Sequence, residues 1–157
     1  MDWKLLYDKA HREWQQRTAP NFVRDHGYVK TKFPKTDTSN GLTRMIKEWC
    51  IWNGHAATRV NSQGQMRIEK VKLAFGNVRE NIRWTKGQSK GASDLDITLK
   101  HPHHKFGIPV KVEIKIGSDT QRKEQEQYEE QVTGAGAVYK IIKTPEQWFE
   151  FYFKIMS

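Results

Sequence analysis

The sequence predicts an α/β protein whose mixed β-sheet is flanked by helices. Two segments, residues 91–99 and 110–116, alternate apolar and polar side chains with the period of a β-strand. Helical periodicity marks several segments on either side of this pair. Near the end of the chain a polar helical segment lies between two predicted strands, which implies a parallel crossover. The sheet should therefore contain both antiparallel and parallel strands.

Composition places the chain among folded, basic proteins. A length of 157 residues predicts one domain spanning 1–157. The formal net charge of +9 indicates a polyanionic partner, with nucleic acid favoured over an anionic membrane surface. There is no apolar run near the ~20 residues that span a bilayer and no secretory segment near the start, so we expect a cytoplasmic protein with no membrane partner. The single cysteine, Cys50, excludes an internal disulfide and a multi-cysteine zinc site.

The first 37 residues are predicted to form a helix and a basic, aromatic extension. The helix covers residues 2–16 and carries one apolar stripe. Residues 21–37 have no clear period and mix cations with aromatic side chains. This composition suits a segment that grips phosphates and stacks on bases. It suits equally an irregular segment whose aromatic residues dock on the core while its lysines stay solvated.

The remainder, residues 38–157, supplies most of the predicted elements. Residues 67–81 are basic and weakly patterned, and they receive no assignment. The predicted order is a helix over 42–52, a strand over 55–61, the two central strands, a polar helix over 120–133, a strand over 138–142 and an aromatic C-terminal helix beginning at Thr144 and Pro145.

The two central strands carry the candidate chemistry. Ten residues separate them, enough for a hairpin turn, so adjacent strands would bring Asp94, Glu113 and Lys115 together. Carboxylate oxygens are preferred ligands of Mg²⁺ or Mn²⁺, and the main-chain carbonyl of Ile114 is a further candidate ligand. Lys115 can orient a water or stabilise charge at phosphorus. The alternative is an amphipathic hairpin whose charges only pair across the strands. Asp96 would lie about 7 Å further along and is expected to play a supporting part.

Two other features have both a functional and a structural interpretation. Glu48 lies at the flank of the apolar stripe of helix 42–52, where it can reach toward a metal through a water, or pair with Arg44 one turn earlier. Residues 86–91 form a Gly/Lys/Ser run that includes Lys86 and Lys90. This run brings backbone close to a phosphate or makes a turn, and it lacks the P-loop spacing.

Gly91-Ala92-Ser93-Asp94, eighteen intervening residues and Glu113-Ile114-Lys115 together resemble the PD-(D/E)xK nuclease signature, with Ser93 where that signature has proline. The chain resembles in particular the VRR-NUC group, the virus-type replication–repair nucleases, over residues 38–152. The further matching features are a helix carrying Glu48, the run Arg59-Val60-Asn61-Ser62, Lys90-Gly91 before the Asp, and Gln125 with Tyr128 one turn later.

The resemblance implies a restriction-endonuclease-like core over 38–157, dependence on Mg²⁺ or Mn²⁺, and cleavage of branched or structured DNA. Small members resemble Holliday-junction resolvases of bacterial or phage type that act as homodimers in DNA repair or recombination. The alternative is a non-catalytic DNA-binding module on the same fold. The implied catalytic residues are Asp94, Glu113, Lys115, Glu48 and Gln125, the implied metal ligands are Asp94, Glu113, the Ile114 carbonyl and Glu48 through water, and the implied nucleic-acid contacts are Arg59, Ser62, Lys86 and Lys90.

Overall fold

The computed structural model describes residues 2–60, 65–72, 78–85, 91–103 and 105–157, with backbone alone in the second and third ranges. Within these ranges there are five helices and six strands. The elements in chain order are α1 (Trp3–Thr18), α2 (Pro20–His26), α3 (Ser39–Trp52), β1 (Ala56–Arg59), β2 (Gln65–Lys72), β3 (Val78–Thr85), β4 (Leu95–Lys100), β5 (Gly107–Ile114), α4 (Lys123–Gly134), β6 (Val138–Ile142) and α5 (Pro145–Met156).

Four strands form a mixed sheet in the order β1-β4-β5-β6. β4 pairs antiparallel with both β1 and β5, whereas β6 runs parallel to β5. The parallel pair is joined by α4, as the sequence predicted for a strand–helix–strand segment. The predicted α/β class with a mixed sheet flanked by helices is therefore confirmed. None of the described helices is long and apolar enough to cross a bilayer.

The apolar face of the sheet packs against α3 and α5, and α1 packs on those two helices. The predicted stripe of α3 is buried, and Trp49 on that helix meets Trp148 and Phe149 of α5 edge to face, with ring centroids 6.1 and 5.1 Å apart. Such edge-to-face contacts are the favoured geometry between aromatic rings. The largest fully buried side chains of the core are Tyr7, Leu42, Met45, Ile46, Leu95, Ile97, Leu99, Val110, Val112, Ile142, Trp148 and Phe149.

Two sequence expectations need correction, and the structure describes most of one segment that the sequence left unassigned. Residues 20–26, most of which lie in the segment expected to be irregular, form α2, with Pro20 in its first turn, where its missing N–H costs no hydrogen bond. The unassigned residues 67–81 lie largely in β2 and β3, which make a separate two-stranded antiparallel sheet. β5 begins and ends earlier than the predicted 110–116, so Lys115 lies just beyond the strand.

Candidate active site

Asp94 stands at the junction of three strands. Its carbonyl accepts a hydrogen bond from Val60 N at 2.9 Å, at the end of β1, and its side-chain Oδ2 accepts one from Ile114 N at 2.9 Å, at the end of β5. Leu95 pairs with Val112, so Asp94 is one position beyond the last pair between β4 and β5. The carboxylate therefore extends the backbone ladder and is fixed beside Glu113.

Glu113 is a buried carboxylate with two unlike oxygens. Only 3% of the residue is exposed. Its Oε1 accepts a hydrogen bond from Nε2 of Gln125 and lies 3.2 Å from Nζ of Lys115. Its Oε2 is buried and has no hydrogen-bond partner among the described residues. Because an unpaired buried oxygen is costly, Oε2 is the atom at this site most in need of a partner.

Lys115 is held by partners on three sides. Its Nζ donates to Oε1 of Gln125 at 2.9 Å and lies 3.5 Å from Oδ2 of Asp119. The residue is 4% exposed, so this ammonium is nearly as buried as the Glu113 carboxylate. One cation thus faces the carboxylates of Glu113 and Asp119, with Asp94 close to the first. The cluster carries excess negative charge when all its carboxyl groups are ionised.

Gln125 connects α4 to the end of β5. Its amide nitrogen donates to Glu113, while its Oε1 accepts from Lys115 and from the main-chain N of Arg122 at 3.0 Å. The last bond is part of the capping arrangement at the start of α4. A single amide therefore positions both charged groups. Only the resemblance to VRR-NUC proteins had singled out this residue, and the structure places it in contact with Glu113 and Lys115.

Burial determines the protonation behaviour of Glu113. Loss of water raises the pKa of this carboxyl group, and the neighbouring charge of Asp94 raises it further. The hydrogen bonds and charge from Lys115 and Gln125 act in the opposite direction without cancelling the rise. Burial also raises the pKa of the Tyr139 hydroxyl on β6, with Glu113 as the next contributor. The site thus favours an added positive charge, supplied by a proton or a cation.

Gly91 lets the turn before β4 approach α4 closely. Its φ is +81°, and a Cβ atom at this position would lie 2.3 Å from the carbonyl oxygen of Glu124. Glycine alone avoids both the left-handed strain and the collision. Since Asp94 follows this turn and Gln125 follows Glu124, the contact sets the spacing between the two halves of the site.

Asp96 and Lys111 lie further along the same strands and pair with each other. Lys111 Nζ is 2.6 Å from Oδ2 of Asp96, and the two residues are directly opposite in the β4–β5 register. This is the ordinary cross-strand charge pair that the structural interpretation of the hairpin predicted. That interpretation holds for this pair, whereas Asp94, Glu113 and Lys115 form the buried cluster described above.

Glu48 is engaged elsewhere on α3. Its Oε1 accepts from Nε of Arg44 at 2.8 Å, and its Oε2 accepts from the hydroxyl of Tyr7. Burial, and then the hydrogen bond to Glu48, raise the pKa of that tyrosine. No contact between described residues joins Glu48 to Asp94 or Glu113. The predicted pairing with Arg44 is confirmed, and the metal role of Glu48 through a water stays a prediction.

The predicted nucleic-acid contacts are described only in part. Arg59 is exposed at the end of β1, where its Nη2 donates to Oδ1 of Asn40 at 2.6 Å. Ser62, Lys86 and Lys90 lie outside the described residues.

Sequence reasoning missed Asp119 as a member of the cluster. It is four residues from Lys115 across a turn that contains Gly117 at φ +61°. The signal was the run Gly117-Ser118-Asp119 immediately after the predicted strand, since a tight turn there returns the next acidic side chain toward the strand end.

The donor set suits a hard divalent cation. In the described ranges no group of three or more His, Cys, Asp or Glu side chains is clustered as a ready-made metal cage. Mg²⁺, however, is commonly held by one or two carboxylates, with waters and substrate phosphate completing its shell. The unpaired Oε2 of Glu113 beside Asp94 fits that arrangement.

Comparison of the chain with models of known protein families, with curated proteins and with solved structures finds no match. The functional argument therefore depends on the geometry of the site and on the resemblance in the sequence.

Proposed function

We propose that this protein is a metal-dependent endonuclease that hydrolyses phosphodiester bonds in DNA, with branched or structured DNA as its preferred substrate. The observation that carries the proposal is the buried Oε2 of Glu113, unpaired beside Asp94 while the other oxygen is held by Gln125 and Lys115. In phosphodiester hydrolysis, a pair of carboxylates can hold the metal ion and a fixed ammonium can stabilise the charge that develops at the phosphate.

The order of elements supports a restriction-endonuclease-like core of the PD-(D/E)xK type. One helix, three antiparallel strands, a crossover helix and a parallel fourth strand follow each other from α3 to β6, interrupted only by the β2–β3 hairpin. Of the residues that carry the VRR-NUC resemblance, Asp94, Glu113, Lys115 and Gln125 lie together near the shared end of β4 and β5, whereas no contact between described residues joins Glu48 to them. We propose membership of that group on these grounds.

The proposed cofactor is Mg²⁺ or Mn²⁺, held by Asp94 and Glu113, with the main-chain carbonyl of Ile114 as a further ligand. When bound, such a cation lowers the pKa of water and neutralises charge on the scissile phosphate. We assign Glu48 an indirect role through a water, because both of its oxygens already have partners.

The chain's own residues position the groups that react. Hydrolysis forms a bond between a water oxygen and phosphorus, breaks the bond from phosphorus to one sugar oxygen, and leaves a water proton on that departing oxygen. Lys115 provides a fixed positive charge for the negative charge that develops at the phosphate. Gln125 keeps Lys115 and Glu113 at their spacing, so little rearrangement is needed when the substrate arrives.

DNA is the proposed partner because the chain carries a net charge of +9 while its candidate site is acidic. A basic body attracts the phosphate backbone and the acidic site holds the cation. A homodimer is the proposed assembly, since symmetric cuts in a branched substrate require two active sites.

The test is cleavage of labelled four-way junction, flap, duplex and single-stranded DNA, together with RNA, in Mg²⁺, in Mn²⁺ and in chelator. We expect metal-dependent cutting that is strongest on a branched DNA. If the protein binds DNA but cuts none of these substrates with either metal, the alternative of a non-catalytic DNA-binding module replaces this proposal.

A further inference from the structure

Residues 28–35, named the arm here, follow α2 and have neither helical nor strand structure. The arm is nevertheless fastened to α1. The main-chain N of Val29 donates to Oε1 of Gln15 at 2.7 Å, and Nε2 of Gln15 donates back to the Val29 carbonyl at 3.0 Å. Gln15 is 5% exposed, so this double hydrogen bond is largely shielded from water. The arm therefore has a defined course along the helix.

A second attachment fixes which side chains of the arm face outward. Thr31 is 6% exposed, and its hydroxyl donates to Oδ1 of Asp8 at 2.5 Å and lies 2.8 Å from Nδ1 of His11. Its neighbours Lys30 and Lys32 are both exposed. An inward threonine between two outward lysines is the alternation expected of an extended segment.

The cations of the arm are not used inside the protein. Lys30, Lys32 and Lys35 are exposed, and no ion pair or hydrogen bond between described residues includes any of their ammonium groups. Surface lysines usually stay solvated, so their number alone decides nothing. What distinguishes these three is that they lie within six residues on a segment whose backbone is held in place.

Apolar and aromatic groups lie exposed beside these cations. Tyr28, Val29 and Phe22 are 47, 53 and 48% exposed. The guanidinium of Arg12 lies 5.6 Å from the centre of the Tyr28 ring, and the hydroxyl of Tyr28 donates to Gln16 at 3.2 Å. A cleft of about 240 Å³ opens between the arm and the first two helices, and its lining includes Trp14, Phe22 and Val29.

The structure favours one of the two interpretations that the sequence left open for this segment. Phe33 touches the core, with its ring centre 6.0 Å from those of Trp3 and Tyr7, but it is still 44% exposed. Tyr28 and Phe22 are likewise about half exposed, although the arm is attached to α1 at Val29 and at Thr31. Exposed rings next to unpaired lysines form the combination that binds single-stranded nucleic acid.

We infer that the arm, with the adjoining cleft, is a binding surface for single-stranded nucleic acid, separate from the acidic site. Lys30, Lys32 and Lys35 contact backbone phosphates, and a base stacks on Tyr28. Because Gln15 and Thr31 already order the backbone, binding loses little conformational entropy. The inference rests on the proposed function only in taking a nucleic acid as the partner. It assigns to the arm the unpaired strand of a branched substrate.

The test is fluorescence anisotropy of labelled oligothymidylate and oligouridylate with the intact protein, in chelator so that no cutting occurs. The charge variant replaces Lys30, Lys32 and Lys35 by Gln. The matched control replaces Lys140, Lys143 and Lys154 by Gln, which removes the same charge from the groove between β6 and α5. We expect the arm variant alone to weaken binding by tenfold or more and to reduce the salt slope by about two, at ~0.7 per phosphate contact.

Stacking is tested separately from charge. Tyr28→Ala should weaken binding to oligothymidylate by between about fivefold and about a hundredfold, the range for loss of one base–aromatic stack. Tyr28→Phe keeps the ring and loses only the hydrogen bond to Gln16, so it should bind like the parent protein. Thermal melting of each variant checks that the fold is retained, and Tyr28→Phe gives the comparison should Tyr28→Ala fail to fold.

Three results would overturn the inference: equal weakening in the arm and control lysine variants, binding of duplex as tight as single strand in the parent protein, or binding to phosphatidylglycerol vesicles with none to either oligonucleotide. These measurements are independent of cleavage. If the protein cuts DNA but the arm variants bind normally, the nuclease proposal stands and the arm inference fails. If the protein binds through the arm but does not cut, the arm inference stands and the nuclease proposal fails.

Discussion

The ammonium of Lys115 lies 3.2 Å from Oε1 of Glu113, with the two side chains only 5% and 4% exposed. Burying such a pair costs desolvation energy that its attraction barely repays, so it contributes little net stability. Buried charged groups with a shifted pKa, such as Glu113, are concentrated at functional sites. Because Gln125 is hydrogen-bonded to both groups and Oε2 of Glu113 has no partner among the described residues, we interpret this pair as part of the proposed active site.

Gln125→Ala should reduce cutting by about tenfold to a hundredfold, because Glu113 and Lys115 lose the amide that sets their spacing. Leaving a buried charge without its hydrogen bond should also lower the free energy of unfolding by about 1–3 kcal/mol. The rate is measured under single-turnover conditions and the stability by urea unfolding. Gln127→Ala, an exposed position on the same helix, is the control and should change neither. Equal rates for both variants would remove Gln125 from the site.

Gly91→Ala should impair cutting by displacing Asp94 from α4. The added Cβ would meet the Glu124 carbonyl at 2.3 Å, and φ is +81° at this residue, so the free energy of unfolding should fall by more than about 1 kcal/mol. Gly134→Ala, where nothing lies within 4 Å of a new Cβ, is the matched control and should be neutral or slightly stabilising. A Gly91→Ala protein with parental rate and melting would show that the close contact does not position the site.

Metal binding should strengthen as pH rises. The pKa of Glu113 is higher in the folded protein than in the unfolded chain. Glu113 therefore contributes less to the free energy of unfolding as the pH rises from its unfolded pKa to its folded pKa. Mg²⁺ competes with this proton and should offset the loss. The rise in melting temperature on adding Mg²⁺ should therefore be larger at about pH 8 than at about pH 5.

Two variants test whether the Mg²⁺ effect on the melting temperature comes from the candidate site. Glu113→Gln should lose the stabilisation by Mg²⁺ at both pH values, because its carboxylate ligand is gone. Asp96→Asn removes an exposed carboxylate that pairs with Lys111, and it should keep the full stabilisation. An Mg²⁺ effect of the same size in the parent protein and in Glu113→Gln would place the metal elsewhere.

Glu48→Gln should reduce cutting much less than Glu113→Gln does, because Glu48 is committed to Tyr7 and Arg44. Arg44→Gln breaks the same ion pair but keeps the Glu48 carboxylate. Its cutting rate therefore shows how much of any effect of Glu48→Gln comes from losing the ion pair alone. The exposed pair itself is worth about 0.3–0.5 kcal/mol. Comparison of single-turnover rates checks this, and loss of cutting in Glu48→Gln alone would make Glu48 a direct participant.

The strand pattern predicted the location of the site but not its environment. Period-2 alternation placed Asp94, Glu113 and Lys115 at one end of a hairpin, and β4 and β5 pair as expected. The same pattern was also compatible with a hairpin whose charged face is exposed to solvent. Glu113 is buried and contacts Gln125 of α4, and the polar sequence of that helix gives no sign of which surface it covers, since that depends on tertiary contacts.

Other parts of the fold were beyond local sequence signals. α2 has only seven residues, too few for a periodic stripe to appear. β2 and β3 form a two-stranded sheet of their own, and residues 67–81 are basic and weakly patterned, so periodicity did not identify either strand. The bond from Tyr7 to Glu48 spans 41 residues and joins α1 to α3, a relation that no local spacing reveals.

The most direct test of the central claim compares cleavage of one branched DNA by the parent protein and by Glu113→Gln, Lys115→Ala and Lys111→Gln, with DNA affinity measured alongside. The account predicts that the first two variants lose at least about a hundredfold in single-turnover rate while still binding DNA. Lys111→Gln, on the same strand but paired with Asp96, should cut at nearly the parental rate. Parental rates in Glu113→Gln and Lys115→Ala would contradict the account.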